Sequence, residues 1–142
     1  MNNINMAEAL FKDASDRLLE AEENLKNDRY HRAVRLCAES VELGLKAFFY
    51  YLGIDFPKEH DLGKFFDSIP EVRNTLTVSE KRRIRKINRN LAIHRPTSFY
   101  GDPRGIPPSA IFSKKHAEEA IGGCKYVLEA VTKITQGKLR GE

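Results

Sequence analysis

One short segment, Arg89-Asn90-Leu91-Ala92-Ile93-His94, combines a phosphate-binding side chain with a proton carrier. A guanidinium can hold a phosphate through two parallel hydrogen bonds, and an imidazole gains or loses a proton near neutral pH. Together these residue types indicate phosphodiester chemistry without a metal. On one helix Arg89 and His94 would point about 140° apart with about 7.5 Å of rise between them, so they cannot easily reach one atom. Two copies facing each other across a twofold axis would bring the arginine of one near the histidine of the other.

This segment lies in a strongly basic part of a chain whose net charge is only +4. Residues 81–95 hold seven basic side chains and no acidic one, so the rest of the chain carries a net charge of −3. Positive charge concentrated on one helix is typical of a protein that binds a polyanion, although a solvated helix face is the alternative. The predicted nucleic-acid contacts are Arg82, Arg85, Lys86, Arg95 and Tyr100.

Length and composition restrict the class of protein. A chain of 142 residues fits one domain, which we expect to span residues 1–142 with its core in about 6–135 and a short C-terminal tail. No apolar run approaches the roughly 20 residues of a membrane helix, and residues 1–5 lack the features of a signal peptide, so we expect a cytoplasmic protein that does not bind a membrane. Cys37 and Cys124 lie among small apolar residues, which predicts buried thiols, with a bridge between helices as the alternative.

Apolar residues recur every three or four positions along most of the chain, which is the pattern of amphipathic helices, and no alternating strand pattern occurs. The predicted fold class is therefore an all-α, up-and-down bundle of four main helices plus a short one. With Asp28, Ser79 and Ser113 as N-caps and Pro96 as a stop, the predicted helices are Met6–Asn27, Asp28–Gly53, about Asp61–Phe66, Ser79–Arg95 and Ser113–Gly137.

Two further features bear on function. Residues 95–112 are rich in proline and glycine and predict a long loop, which in compact domains is often functional. Phe99 and Tyr100 in this loop either stack on single-stranded nucleic acid or pin the loop to the bundle. Gly122-Gly123, inside the last predicted helix, indicates close backbone packing or a bend.

The remaining histidines do not predict a metal site. His31, His60 and His116 fall on different elements and no pair has metal-ligand spacing, and His60 is placed in a turn or cap before a helix. The glycines do not form a phosphate-binding loop of either nucleotide-binding type. We therefore expect neither a metal nor a cofactor.

The order of the helices, the stretch Ala38–Ala47, His60-Asp61-Leu62 and Arg89-Asn90-x-x-x-His94 together resemble the HEPN family of small helical-bundle proteins over roughly residues 6–135. The hallmark of that family is an arginine, then a polar residue, then a histidine four to six positions after the arginine, at the end of the penultimate long helix. Family members commonly have a tyrosine soon after the histidine. Here Arg95-Pro96 follows directly and the nearest tyrosine is Tyr100.

The resemblance implies a metal-independent endoribonuclease of the toxin type, which works as a homodimer with the motif at the interface and is often paired with a minimal nucleotidyltransferase antitoxin. It assigns Arg89 and His94 to catalysis and Asn90 to a supporting polar role. RNA cleavage of this kind needs a base for the 2′-hydroxyl proton, an acid for the leaving 5′-oxygen and a cation for the transition state. Two alternatives are a non-catalytic HEPN module that binds a nucleotide or a nucleotidyltransferase partner, and a plain helical dimerisation module.

Overall fold

The computed structural model describes residues 3–58 and 62–140. In these ranges the chain forms α-helices without a strand, and four of the helices are long, which confirms the predicted all-α bundle. Three short helices occur instead of the single one predicted. The helices are α1 (Asn3–Lys26), α2 (Tyr30–Leu52), α3 (Gly63–Asp67), α4 (Pro70–Thr75), α5 (Val78–Tyr100), α6 (Pro108–Ile111) and α7 (Lys114–Ile134), followed by a 3-10 turn at Lys138–Arg140. His60 lies outside the described residues.

Helix α2 is at the centre of the bundle and packs against α1, α5 and α7. Its large apolar side chains, among them Leu45, Phe48 and Phe49, are completely buried. Gly44 allows α7 to approach, because a Cβ at this position would lie 2.5 Å from Leu128 Cδ2. The helix ends at Gly53, whose φ of +69° is the left-handed conformation that favours glycine, as predicted. A helix that crosses a bilayer needs length and apolarity together, and no helix within the described ranges has both.

The two cysteines are buried free thiols, as predicted, and they belong to a hydrogen-bonded group in the core. Cys124 Sγ donates to Ser40 Oγ at 3.1 Å, and Ser40 Oγ donates to the Ala14 carbonyl oxygen at 2.6 Å. A hydrogen bond with Cys124, together with burial, raises the pKa of the Cys37 thiol. This group links α1, α2 and α7 without a disulfide.

Two predicted N-caps are wrong. Helix α5 is capped by Thr77 rather than Ser79, because Thr77 Oγ1 accepts the Glu80 N–H at 3.1 Å while Glu80 Oε1 accepts the Thr77 N–H at 2.9 Å. This reciprocal pair requires a glutamate three residues after the cap, and only Thr77 has one. Asp28 does not cap α2, because its φ is +59° and its carboxylate accepts the Tyr30 hydroxyl at 3.0 Å.

The predicted stop at Arg95-Pro96 is also wrong, because α5 continues through Pro96 to Tyr100. Proline removes one helical hydrogen bond, but contacts beyond it hold the last turn. The Arg35 guanidinium of α2 lies 4.8 Å from the centre of the Phe99 ring, and the Ser98 hydroxyl donates to the Arg95 carbonyl at 2.8 Å. The predicted long loop over residues 95–112 therefore shrinks to residues 101–107 and is followed by α6.

Candidate functional site

A cleft of about 110 Å³ lies between α5 and α7. Its polar lining consists of Asn90 and His94 from α5 and of His116 and Glu119 from α7. Asn90 and His94 are four residues apart and therefore share a face, as their spacing predicts. The apolar lining is Val34, Ile87, Leu91, Ala120 and Gly123.

His94 is half-buried in this cleft. Its ring packs edge-on against Phe112, with centroids 5.6 Å apart and an interplanar angle of 90°. Burial lowers the pKa of His94, and the neighbouring His116 lowers it further. The neutral imidazole is thus favoured, and in this form the ring can accept a proton.

His116 is held by the start of α7. Its Nδ1 accepts the Ser113 backbone N–H at 3.0 Å, and the Ser113 hydroxyl caps the helix as predicted. Because a backbone N–H can only donate, the proton of the neutral His116 ring must be on Nε2. The ring of His116 lies 6.3 Å from that of His94, measured between centroids.

No sequence spacing predicts that His116 lies beside His94, because the two residues are on separate helices. Gly123 gives an indirect indication of which face of α7 meets α5. A Cβ at this position would lie 2.9 Å from Ile87 Cγ2 of α5. His116 precedes Gly123 by seven residues, or about two helical turns, so both are on the α7 face that meets α5. The predicted close packing is thus confirmed at Gly123, whereas a Cβ at Gly122 would have no atom within 4 Å among those described.

Arg89 does not line the cleft. It is exposed on the outer face of α5, and its guanidinium has no hydrogen-bond or ion-pair partner within the part of the chain that the structure describes. At helical spacing this face continues through Ile93, Pro96 and Tyr100. Ile93 is 63% exposed and Tyr100 is 86% exposed. The chain therefore brings Asn90 and His94 together but keeps Arg89 on a different side.

The five predicted nucleic-acid contacts divide into two groups. Arg82, Lys86 and Tyr100 are exposed to solvent. Arg85 instead pairs with Asp67, with Nε and Oδ2 3.4 Å apart, and burial raises the pKa of this Asp67 carboxyl although Arg85 opposes the effect. Arg95 is directed inward: its Nε lies 3.6 Å from the Glu42 Oε2, and its guanidinium lies 5.4 Å from the Phe99 ring centre.

The two aromatic residues near the end of α5 have different environments. Phe99 is half-buried against Arg35 and Arg95, so it holds the last turn of the helix to the bundle. Tyr100 points into solvent beside it, with ring centroids 5.8 Å apart. In residues 3–58 and 62–140 no group of three or more His, Cys, Asp or Glu side chains is arranged to hold a metal ion.

Comparison with known proteins gives two matches of different weight. The chain's fold is similar to the crystal structure of the protein TT1696 from Thermus thermophilus, with a TM-score of 0.76 over 94% of this chain and 99% of that chain. At 19% sequence identity this similarity shows the fold alone. No curated protein sequence matches the chain. The family model described as HEPN domain matches residues 7–134, which is most of the sequence, and the chain therefore belongs to the HEPN domain family.

Proposed function

We propose that this protein is a cytoplasmic, metal-independent endoribonuclease of the HEPN toxin type. It cleaves RNA by attack of the 2′-hydroxyl on the adjacent phosphate, with Arg89 and His94 contributed by two subunits. The observation that carries the proposal is the half-buried His94 imidazole, with its lowered pKa, in a cleft on a helix that also presents the exposed Arg89. A minimal nucleotidyltransferase is the expected cognate partner.

The chemistry follows from what RNA brings to the reaction. Its 2′-hydroxyl is the nucleophile, so the protein must remove that proton, protonate the leaving 5′-oxygen and neutralise charge on the phosphate. A neutral His94 is suited to remove the proton, and a guanidinium is suited to hold the phosphate oxygens. Asn90 lines the same cleft and supplies an amide that orients the substrate.

A homodimer is the simplest way to bring Arg89 to a cleft that it does not reach in its own subunit. The exposed outer face of α5 carries Ile93 in line with Arg89, and an exposed apolar side chain of this kind is what an interface buries. A twofold axis beside this face would place Arg89 of each subunit near the cleft of the other.

RNA would be attracted by the exposed basic side chains of α5, Arg82 and Lys86, and Tyr100 offers an exposed ring for base stacking. Arg85 and Arg95 contribute less, because their charges are partly neutralised by Asp67 and Glu42.

The decisive experiment is cleavage of single-stranded RNA in EDTA, with identification of the product ends. Wild type should leave a cyclic phosphate and a 5′-hydroxyl. His94→Ala should be slower by about 10²- to 10⁴-fold, the usual contribution of acid–base catalysis. His31→Ala is the matched control, because burial also lowers the pKa of His31 but this residue is not part of the cleft lining. Equal cleavage by wild type and His94→Ala would rule the proposal out.

Mixed dimers test whether the two residues act across subunits. Arg89→Ala and His94→Ala homodimers should each be nearly inactive. A dimer with one subunit of each kind regains one site with an intact arginine and an intact histidine, so it should cleave faster than either parent. No recovery in a dimer shown by mass to be mixed would contradict the shared site.

A second candidate is a non-catalytic HEPN module that binds a nucleotide or a nucleotidyltransferase. The observation that favours it is that Arg89 does not line the cleft, so the described cleft lining of a single chain holds no guanidinium beside His94 for catalysis. Under this alternative Arg89 and His94 serve only the contact with the nucleotide or the partner, so His94→Ala weakens that binding and the purified protein cleaves no RNA. The cleavage assay above therefore distinguishes the two candidates.

A further inference from the structure

A second imidazole stands beside His94 in the same subunit. The rings of His94 and His116 have centroids 6.3 Å apart, and both belong to the lining of the cleft between α5 and α7. Phe112 packs edge-on against both, with centroid distances of 5.6 Å to His94 and 5.7 Å to His116. The three rings therefore support one another, and the two imidazoles keep a defined separation.

His116 is oriented in both of its protonation states. In the neutral ring Nδ1 accepts the Ser113 backbone N–H at 3.0 Å. In the imidazolium Nδ1 becomes a donor, and the Ser113 hydroxyl oxygen, also 3.0 Å away, is then an acceptor. Nε2 carries a proton in either state and is the nitrogen left for a substrate.

We propose that His116 is the catalytic partner of His94, so that one subunit supplies both proton-transfer groups and needs only the guanidinium from its partner. This inference rests on the proposed function. The 2′-oxygen forms a bond to phosphorus as its proton passes to neutral His94. The bond from phosphorus to the 5′-oxygen breaks as the His116 imidazolium gives its Nε2 proton to that oxygen. The products are the 2′,3′-cyclic phosphate, a 5′-hydroxyl, protonated His94 and neutral His116.

Two imidazoles at this separation suit the reaction. The attacking and leaving oxygens lie on opposite sides of the phosphorus in an in-line displacement, so the base and the acid must approach from two sides. Each nitrogen must come within about 3 Å of its oxygen. Rings on two different helices that both line one small cleft can meet this requirement, whereas a single imidazole would have to serve both sides.

The test must separate catalysis by His116 from its part in capping α7. His116→Gln removes the imidazole, but glutamine at this helical position can replace it in the capping pair with Ser113. Thr77→Ala is the stability control, because it removes the helix cap at the start of α5 and leaves Ser113 and both imidazoles unchanged. Both variants are compared with wild type for RNA cleavage in EDTA well below their melting temperatures.

We expect His116→Gln to cleave about 10²- to 10⁴-fold more slowly than wild type with an almost unchanged melting temperature. Thr77→Ala should melt at a lower temperature and cleave within a few-fold of wild type. If His94→Ala is inactive but His116→Gln cleaves at the wild-type rate, the proposal for His116 is wrong while the ribonuclease proposal stands. Equal cleavage by wild type and His94→Ala overturns both.

A binding measurement tests the pair without knowledge of the RNA substrate. Inorganic phosphate is titrated into the full-length protein while the imidazole resonances are followed by NMR. His94 and His116 should shift together with one dissociation constant, His31 should not shift, and His116→Gln should weaken the binding reported by His94. A shift of one ring of the pair without the other would contradict a shared phosphate position.

Discussion

The adjacent glycines of α7 provide a direct test of how closely α5 and α7 pack. Gly122 and Gly123 are both inside the helix, so replacing either with alanine gains about 1 kcal/mol of helix propensity. Their surroundings differ. A Cβ at Gly122 has no described atom within 4 Å, whereas a Cβ at Gly123 would lie 2.9 Å from Cγ2 and 3.3 Å from Cγ1 of Ile87.

These distances set the expected effects on the free energy of unfolding. Gly122→Ala should stabilise the protein by about 1 kcal/mol, since no described atom opposes the gain in propensity. At Gly123 the branched Ile87 side chain must move, and overpacking of this kind costs about 1–3 kcal/mol. The free energy of unfolding of Gly123→Ala should therefore lie between the wild-type value and about 2 kcal/mol below it. Compared with Gly122→Ala, the Gly123→Ala protein should be less stable by about 1–3 kcal/mol.

Urea and thermal unfolding of the two variants measure this difference. For a chain of this size about 1 kcal/mol corresponds to about 4 °C in melting temperature, so the two alanines should melt about 4–12 °C apart. Ile87→Ala should cost less in the Gly123→Ala background than in wild type, because it removes the clash. If Gly123→Ala is as stable as Gly122→Ala, or if the two substitutions at positions 87 and 123 are additive, the packing argument is refuted.

Three further predictions concern capping, backbone strain and pH. Thr77→Ala should destabilise the protein by about 0.5–2 kcal/mol and Ser79→Ala by less than about 0.5 kcal/mol in urea unfolding, because only Thr77 caps α5. Gly101→Ala should lower the melting temperature, since φ is +80° there and a Cβ would overlap the Ile106 carbonyl oxygen; an unchanged melting temperature would contradict the described loop. The free energy of unfolding should fall as pH drops below about 6.5, because the unfolded His94 takes up a proton that the folded ring, with its lowered pKa, resists. His94→Gln should reduce this pH dependence, and an unchanged slope would contradict the burial of the ring.

The fold could be predicted from the sequence where local signals decide it. Apolar periodicity places the long helices, Gly53 ends α2 and Ser113 begins α7. The cap of α5 also has a local signal, because Thr77 is followed three residues later by Glu80, whereas the predicted cap Ser79 is followed at that spacing by Arg82.

Other features depend on contacts between distant residues and have no local signal. Pro96 normally predicts the end of a helix, and α5 continues past it because Arg35 on α2 packs against Phe99. The inward direction of Arg95 likewise depends on Glu42 of α2. The same limit applies to the cleft, since Asn90 and His94 share a face by spacing but His116 joins them only when α7 packs on α5.

The two ends of the Arg89–His94 motif thus lie on two different surfaces of α5. His94 belongs to a cleft between α5 and α7 of the chain, whereas Arg89 faces outward in line with exposed Ile93 and Tyr100. The spacing itself causes this division, because five residues turn a helix by about 140° beyond a full turn. The described lining of the cleft contains two imidazoles and Glu119 but no guanidinium. Under the proposed mechanism, a single subunit therefore lacks the group that binds the phosphate. Association of two subunits would add that missing charge, so assembly and catalysis become linked through the position of one arginine.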